Sequence, residues 1–280
     1  MIVDFHTHIF PPEVISNRDE YVIRDATFAE LYGNHDAKLA TAEDLLRSME
    51  QSDIDVSVAL GFAWSDLEDC RRHNDYLLEA ADGARGRILP FCVTQPRFGE
   101  AAIAEAVRCA AGGARGIGEL RPANQGYSIL DSPEELLLAE AARRLDMTLL
   151  FHVSEPFGHI YPGKAGLHVE QFAAFVDRHR DIKVIGAHWA GGLPFFGAMP
   201  EVRALFRSVW FDTAATSLLY SAEVYQQVAI AIGAESILFG SDYPLLSQKR
   251  AADQIEKSGL SLKDTLMVLG GNASALLGLE

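Results

Sequence analysis

One alternation runs through this chain from end to end and limits what it can fold into. A short apolar segment is followed by an amphipathic one, eight times over. The apolar segments are 2–5, 55–60, 87–93, 114–119, 147–152, 182–187, 209–212 and 236–239. They are too short for stable helices and rich in β-branched and aromatic residues, so they read as strands. Helical patterns follow at 41–52, 66–84, 101–111, from Ser132 onward, 167–179, 200–206, 221–232 and 248–257, and the tail 261–277 adds one or two more helices. Thr41-Ala42-Glu43-Asp44 reads as a capping box, and Ser132-Pro133 as an N-cap with proline in the first helical position. Apolar strands alternating with helices imply a parallel sheet with covered faces. Eight such units in 280 residues predict a single-domain (β/α)8 TIM barrel spanning 1–280. An open doubly wound sheet would place a glycine-rich phosphate turn after the first strand; this chain has His6-Thr7-His8 there. Segment 9–40 breaks the rhythm. Pro11-Pro12 stops the strand and no period is sustained to Lys38, which predicts a long loop insertion folded over a site.

Charge narrows the partners. Lys plus Arg total 24 against 39 Asp plus Glu, a formal net charge of −15, which disfavours nucleic acid and anionic membrane surfaces and leaves a small-molecule substrate. The three cysteines, Cys70, Cys92 and Cys109, form no Cys-x-x-Cys pair, so a reducing cytoplasm is the expected location. The first strand leaves no room for a signal peptide, and no apolar run approaches the ~18 residues of a membrane span. A homodimer is compatible with such a barrel, and no sequence feature marks its interface.

Ligand-type residues collect at the strand ends, where barrels carry their sites. Strand one ends in His6 and His8, strand four in Glu119, strand five in His152, strand six in His188 and strand seven in Asp212, while Asp242 follows strand eight. Burying so many ionisable groups at one end of a barrel without a cation would be costly, so the pattern predicts a metal centre. Its histidine-rich shell favours Zn²⁺, and the carboxylates also suit Mn²⁺. Asp212 is equally readable as a cap for the next segment. Candidate substrate contacts are Arg121, able to grip a carboxylate, with His159, Tyr161 and Lys164 in the loop after strand five. Trp64, Trp189 and Tyr243 are candidate pocket walls, and Tyr32 and His35 lie in the insertion.

Asp4-Phe5-His6-Thr7-His8, the strand-ending His152 and His188, and Gly240-Ser241-Asp242 resemble the amidohydrolase superfamily. Gly118-Glu119-Leu120 and the tail from Gly271-Asn272-Ala273 to Leu276-Leu277-Gly278 are similar to its amidohydrolase-2 branch, described as metal-dependent hydrolases of the TIM-barrel fold. The resemblance implies that His6, His8, His152 and Asp242 bind metal, with Asp242 also the general base on a bound water. It makes His188 a ligand or an acid/base group. Some relatives carry a carboxylated lysine on strand four; this chain has Glu119, a type of residue that bridges two ions in TatD-like deoxyribonucleases. One ion, the more usual arrangement for the branch, and two ions both remain open. The expected reaction is hydrolysis of an ester, lactone or amide by metal-activated water, a reading Glu119 favours. The alternatives are metal-dependent, non-oxidative decarboxylation of an aromatic or enol-type acid and a metal-binding barrel without catalysis.

Overall fold

The structure, a computed structural model, describes residues 1–164 and 166–279. Eight parallel strands form one sheet in chain order. They are β1 (Val3–His8), β2 (Val56–Leu60), β3 (Ile88–Cys92), β4 (Gly116–Leu120), β5 (Thr148–Phe151), β6 (Val184–Gly186), β7 (Val209–Asp212) and β8 (Ile237–Leu238). The seam between β8 and β1 is closed by backbone bonds. Phe5 N–H donates to the Phe239 carbonyl (2.7 Å), Asp242 N–H to that of His6 (2.9 Å) and His8 N–H to that of Tyr243 (2.7 Å). The barrel predicted from the alternation is therefore the observed fold, and the open sheet is excluded.

Two apolar layers support it. Val3, Phe5, Val58, Phe91, Leu150, Ile185 and Leu238 form one cluster, which Ala273 and Leu277 of the C-terminal helix join. A larger cluster unites the other faces of the strands with the surrounding helices, through residues such as Leu45, Leu77, Leu138, Phe172 and Val228. Both capping signatures are present: Thr41 pairs reciprocally with Asp44, and Ser132 with Glu135. The β1–β2 register shifts between Asp4 and Thr7, a bulge that interrupts the simple alternation of faces along β1.

The insertion after β1 differs from the expected loop. It folds into three short helices, Pro12–Ser16, Arg18–Arg24 and Ala26–Tyr32. One to two turns are too few for a 3.6-residue period to emerge from sequence. Tertiary packing holds them instead. Phe10, Val14, Tyr21 and Phe28 bury against Phe62, Trp64 and Val93 in a third apolar cluster, with the Phe28 and Trp64 rings stacked at 5.3 Å. Asp25 ties the insertion to the barrel by accepting from Phe28 N–H (2.8 Å) and Ser65 N–H (2.9 Å).

His73 secures the same junction. Its Nε2–H donates to the Ile9 carbonyl (2.8 Å), so Nδ1 is the lone pair that accepts from Phe62 N–H (3.3 Å) and Trp64 Nε1–H (3.1 Å). Burial lowers its pKa from 6.5 to about 4, against the opposing Ile9 bond. The neutral ring is thus the folded form. Its contribution is complete above pH 6.5 and is lost as pH falls from 6.5 towards 4, on the order of 3 kcal/mol in all. An NMR titration of the imidazole is expected to show His73 neutral at pH 5.5; protonation near 6.5 would contradict this role.

Candidate metal centre

At the C-terminal ends of the strands the polar side chains meet. His6 Nε2 lies 3.1 Å from His8 Nε2. Asp242 Oδ1 is 3.7 Å from the first and 3.6 Å from the second. Glu119 Oε2 faces the same pair at 4.0 and 3.6 Å. Its other oxygen, Oε1, faces His152 Nδ1 at 2.8 Å and His188 Nε2 at 3.4 Å. One carboxylate therefore presents one oxygen to each histidine pair. His8, Glu119, His152, His188 and Asp242 retain 7–9% exposure, so the cluster is buried without being fully sealed.

The tautomers follow from the outer partners. A carbonyl oxygen only accepts, so the ring nitrogen facing it carries a proton. His152 Nε2–H donates to the Gly163 carbonyl (3.0 Å), and His188 Nδ1–H to that of Ala214 (3.2 Å). His6 Nδ1–H donates to Asp212 Oδ2 (2.8 Å). In the neutral rings, the remaining nitrogens of His6, His152 and His188 are lone pairs turned towards one another and towards two carboxylates. His8 Nδ1, buried, has no hydrogen-bond partner among the described residues. Lone pairs and anions converging on one space repel unless a cation stands between them, so this donor set fits a divalent metal. Among the described residues, three groupings bring ligand atoms within 4.8 Å of one another: His6, His8 and Glu119; His6, His188 and Asp242; and Glu119, His152 and His188.

Without a cation, a proton stands in for it: burial would lower His6, but Asp212, with Glu119 and Asp242, raises it to about 10, so the metal-free ring carries an Nε2 proton that an incoming ion displaces. Burial works against Glu119 as well, yet His152, His188 and His6 hold its carboxyl well below the usual range. Burial and the Arg121 charge depress His152 to about 4. Burial and the His6 charge lower His8.

Local backbone delivers two of these groups. His188 has φ 56° and opens a left-handed run through Gly192, and Asp242 has φ 65°. Both are uncommon for residues with a side chain and persist because surrounding bonds hold them. Asp212 accepts from His188 N–H (2.9 Å) and Ala214 N–H (3.0 Å) while it orients His6. It therefore holds two histidines in place and does not serve as a helix cap.

The flanking residues divide. Arg121 is buried beside His152, and its Nη2 donates to the Gly163 carbonyl (2.5 Å). Tyr32 is half-buried against Phe10, and burial, then the carboxylates of Asp242 and Glu119, raise its pKa. His35 instead pairs with Asp19 on the surface. Trp189 is a correction. The left-handed run turns its indole into the core, where Nε1–H donates to Thr216 Oγ1 (2.9 Å) and the ring packs on Tyr225, so it is not a pocket wall. Trp64 is likewise buried, in the insertion cluster. Tyr243 lines an outer groove of about 670 Å³ with Lys38, Arg47 and Lys249. His159 is exposed, Tyr161 donates to Glu155 Oε2 (2.9 Å) and Lys164 pairs with Glu155 (3.1 Å). Sequence reasoning missed Asp4 and the Gly163 and Ala214 carbonyls; backbone acceptors leave no residue-type signal.

Fold and site together define a (β/α)8 barrel with a ligand shell at the open end of its strands. A family model described as amidohydrolase matches residues 3–279, and the chain belongs to that family. It is 24% identical over 257 residues to the gamma-resorcylate decarboxylase of a Polaromonas species, covering 76% of this chain and 77% of that one. The structure of 5-carboxyvanillate decarboxylase from Sphingomonas paucimobilis superposes with a TM-score of 0.81 at 16% identity, over 100% of this chain and 99% of that one. A dihydroxybenzoic acid decarboxylase from Polaromonas sp., with bound manganese and the inhibitor 2-nitroresorcinol, gives 0.74 at 19% identity, over 99% and 97%. These relatives overturn the expectation of ester, lactone or amide hydrolysis: they are decarboxylases. The ligand residue types alone carry no signal that separates the two reactions.

Removing the Asp212 carboxylate frees the His6 ring from its outer acceptor. Asp212→Ala is expected to weaken Mn²⁺ binding by roughly 10- to 100-fold with the far-UV circular dichroism unchanged. Wild-type affinity, read by calorimetry, would contradict the orienting role.

Proposed function

We propose that this chain is a metal-dependent, non-oxidative decarboxylase of a small aromatic or enol-type carboxylic acid. The alignment with gamma-resorcylate decarboxylase along three quarters of the chain carries this reading. The site geometry is consistent with it, since a buried ligand shell stands beside a buried arginine. His6, His8, Glu119, His152, His188 and Asp242 are the residues that would hold the ion. The zinc favoured by the histidine-rich shell gives way to manganese, which the Polaromonas structure contains and which tolerates the two carboxylates. A bound divalent ion supplies positive charge that anchors anionic oxygens of the substrate.

The protein groups do the rest. Arg121 receives an anionic group of the substrate, and its guanidinium is already fixed by Gly163. Asp242, beside His6 and His8, takes up a proton from solvent and delivers it to the carbon that bears the carboxylate. The bond from that carbon to the carboxylate then breaks. Its electron pair returns to the ring or enol system, CO2 departs, and solvent reprotonates Asp242. The role is that of an acid towards carbon and replaces the expected base on water. His188, held by Ala214, orients the substrate. Glu119, with one oxygen towards each histidine pair, supports occupancy by two ions.

Two measurements test this. Incubation of the Mn²⁺-loaded protein with hydroxylated benzoic acids is expected to release one CO2 per product, and Asp242→Asn is expected to lower kcat at least ~100-fold. A substrate hydrolysed without CO2, or an Asp242→Asn variant at the wild-type rate, would contradict the assignment. Bound Mn²⁺ is expected at two per chain, falling to one in Glu119→Gln. One per chain in both proteins would leave Glu119 without a bridging role.

A further inference from the structure

Asp4 lies beneath the cluster with no exposure at all. Its Oδ1 accepts from His6 N–H (3.2 Å) and Ser241 N–H (2.9 Å). Its Oδ2 accepts from Ser241 Oγ–H (2.5 Å) and Gln248 Nε2–H (2.8 Å). Gln248 in turn reaches Ser57 Oγ (3.0 Å) on β2. A fully buried carboxylate is an expensive way to join two strands, since apolar packing would do so without the desolvation cost. What this carboxylate joins is specific. One of its two backbone partners is His6, and the other is Ser241, the residue that precedes Asp242.

A second observation makes that link consequential. Asp242 has φ 65°, a conformation its own side chain does not favour, so neighbouring bonds must hold it. Those bonds are Asp242 N–H to the His6 carbonyl (2.9 Å) and the Asp4–Ser241 pair. Gly240 permits the approach, because a Cβ there would stand 2.8 Å from His6 Cβ. We propose that Asp4 is a positioning residue that sets Asp242 against His6 and His8 across the barrel seam. The inference rests on Asp242 belonging to the ligand shell and is independent of the reaction catalysed.

A double-mutant cycle on Mn²⁺ affinity tests it without any turnover. Asp4→Ala is expected to weaken Mn²⁺ binding roughly 10-fold in the otherwise wild-type chain and less than about 2-fold when Asp242→Ala is already present. Asp4→Asn keeps a carbonyl acceptor for both backbone N–H groups. Gln248 Oε1, which has no partner among the described residues, can turn to accept from the new amide. That variant is expected to stay within about 3-fold of wild type. Equal losses with and without Asp242 would show a general structural effect and overturn the proposal, as would unchanged affinity in Asp4→Ala. Should Asp4→Ala fail to fold by circular dichroism, Ser241→Ala removes the Oγ link alone and enters the same cycle under the same criteria.

Discussion

The site depends on the outward hydrogen bonds of three imidazoles. Asp212 takes the Nδ1 proton of His6, the Ala214 carbonyl that of His188, and the Gly163 carbonyl the Nε2 proton of His152. Each bond fixes which nitrogen is left unprotonated and where it points. The inward arrangement of lone pairs, repulsive by itself, is thus imposed by the fold. Binding a cation relieves that repulsion, so the shell is preorganised for metal. In the metal-free cluster a proton on His6 offsets that repulsion, which is why its pKa is raised and that of Glu119 lowered, and binding an ion releases it.

The architecture serves this shell in three ways. Barrel closure brings the first and last strands together, so that His6 and Asp242, 236 positions apart, share a backbone bond. The aromatic cluster packs the helices of the insertion against the barrel, with Tyr32 packed against Phe10. The loop after β5 is latched over the same opening: Gly163 N–H donates to Glu30 Oε1 (2.8 Å) while its carbonyl accepts from both His152 and Arg121. A single backbone unit thereby links the insertion, a shell histidine and the arginine.

The strands and capped helices were legible because their signals are local and periodic. Thr41 with Asp44 and Ser132 with Glu135 fall where the sequence predicts. The convergence of His6, His8, Glu119, His152, His188 and Asp242 followed from one rule, that barrel sites gather at strand C-termini. What failed to show was non-local or conformational. Helices of five to seven residues carry no readable period, so the insertion looked like a loop. The left-handed run from His188 sent Trp189 into the core, and nothing in His-Trp-Ala-Gly-Gly announces that direction. The β1 bulge hid the separate task of Asp4 within a strand that otherwise reads as two histidines and an apolar face. The reaction was illegible for a different reason, since hydrolysis and decarboxylation draw on the same ligand residues.

That shared shell makes the placement of the inner nitrogens the central claim, prior to any substrate. The most direct measurement is anomalous diffraction at the manganese edge from crystals equilibrated with Mn²⁺. It is expected to show density against His6 Nε2 and against His152 Nδ1 and His188 Nε2, on either side of Glu119, with the Asp212, Gly163 and Ala214 contacts intact. An ion held through His6 Nδ1 with Asp212 displaced, or no anomalous density among these residues, would contradict it.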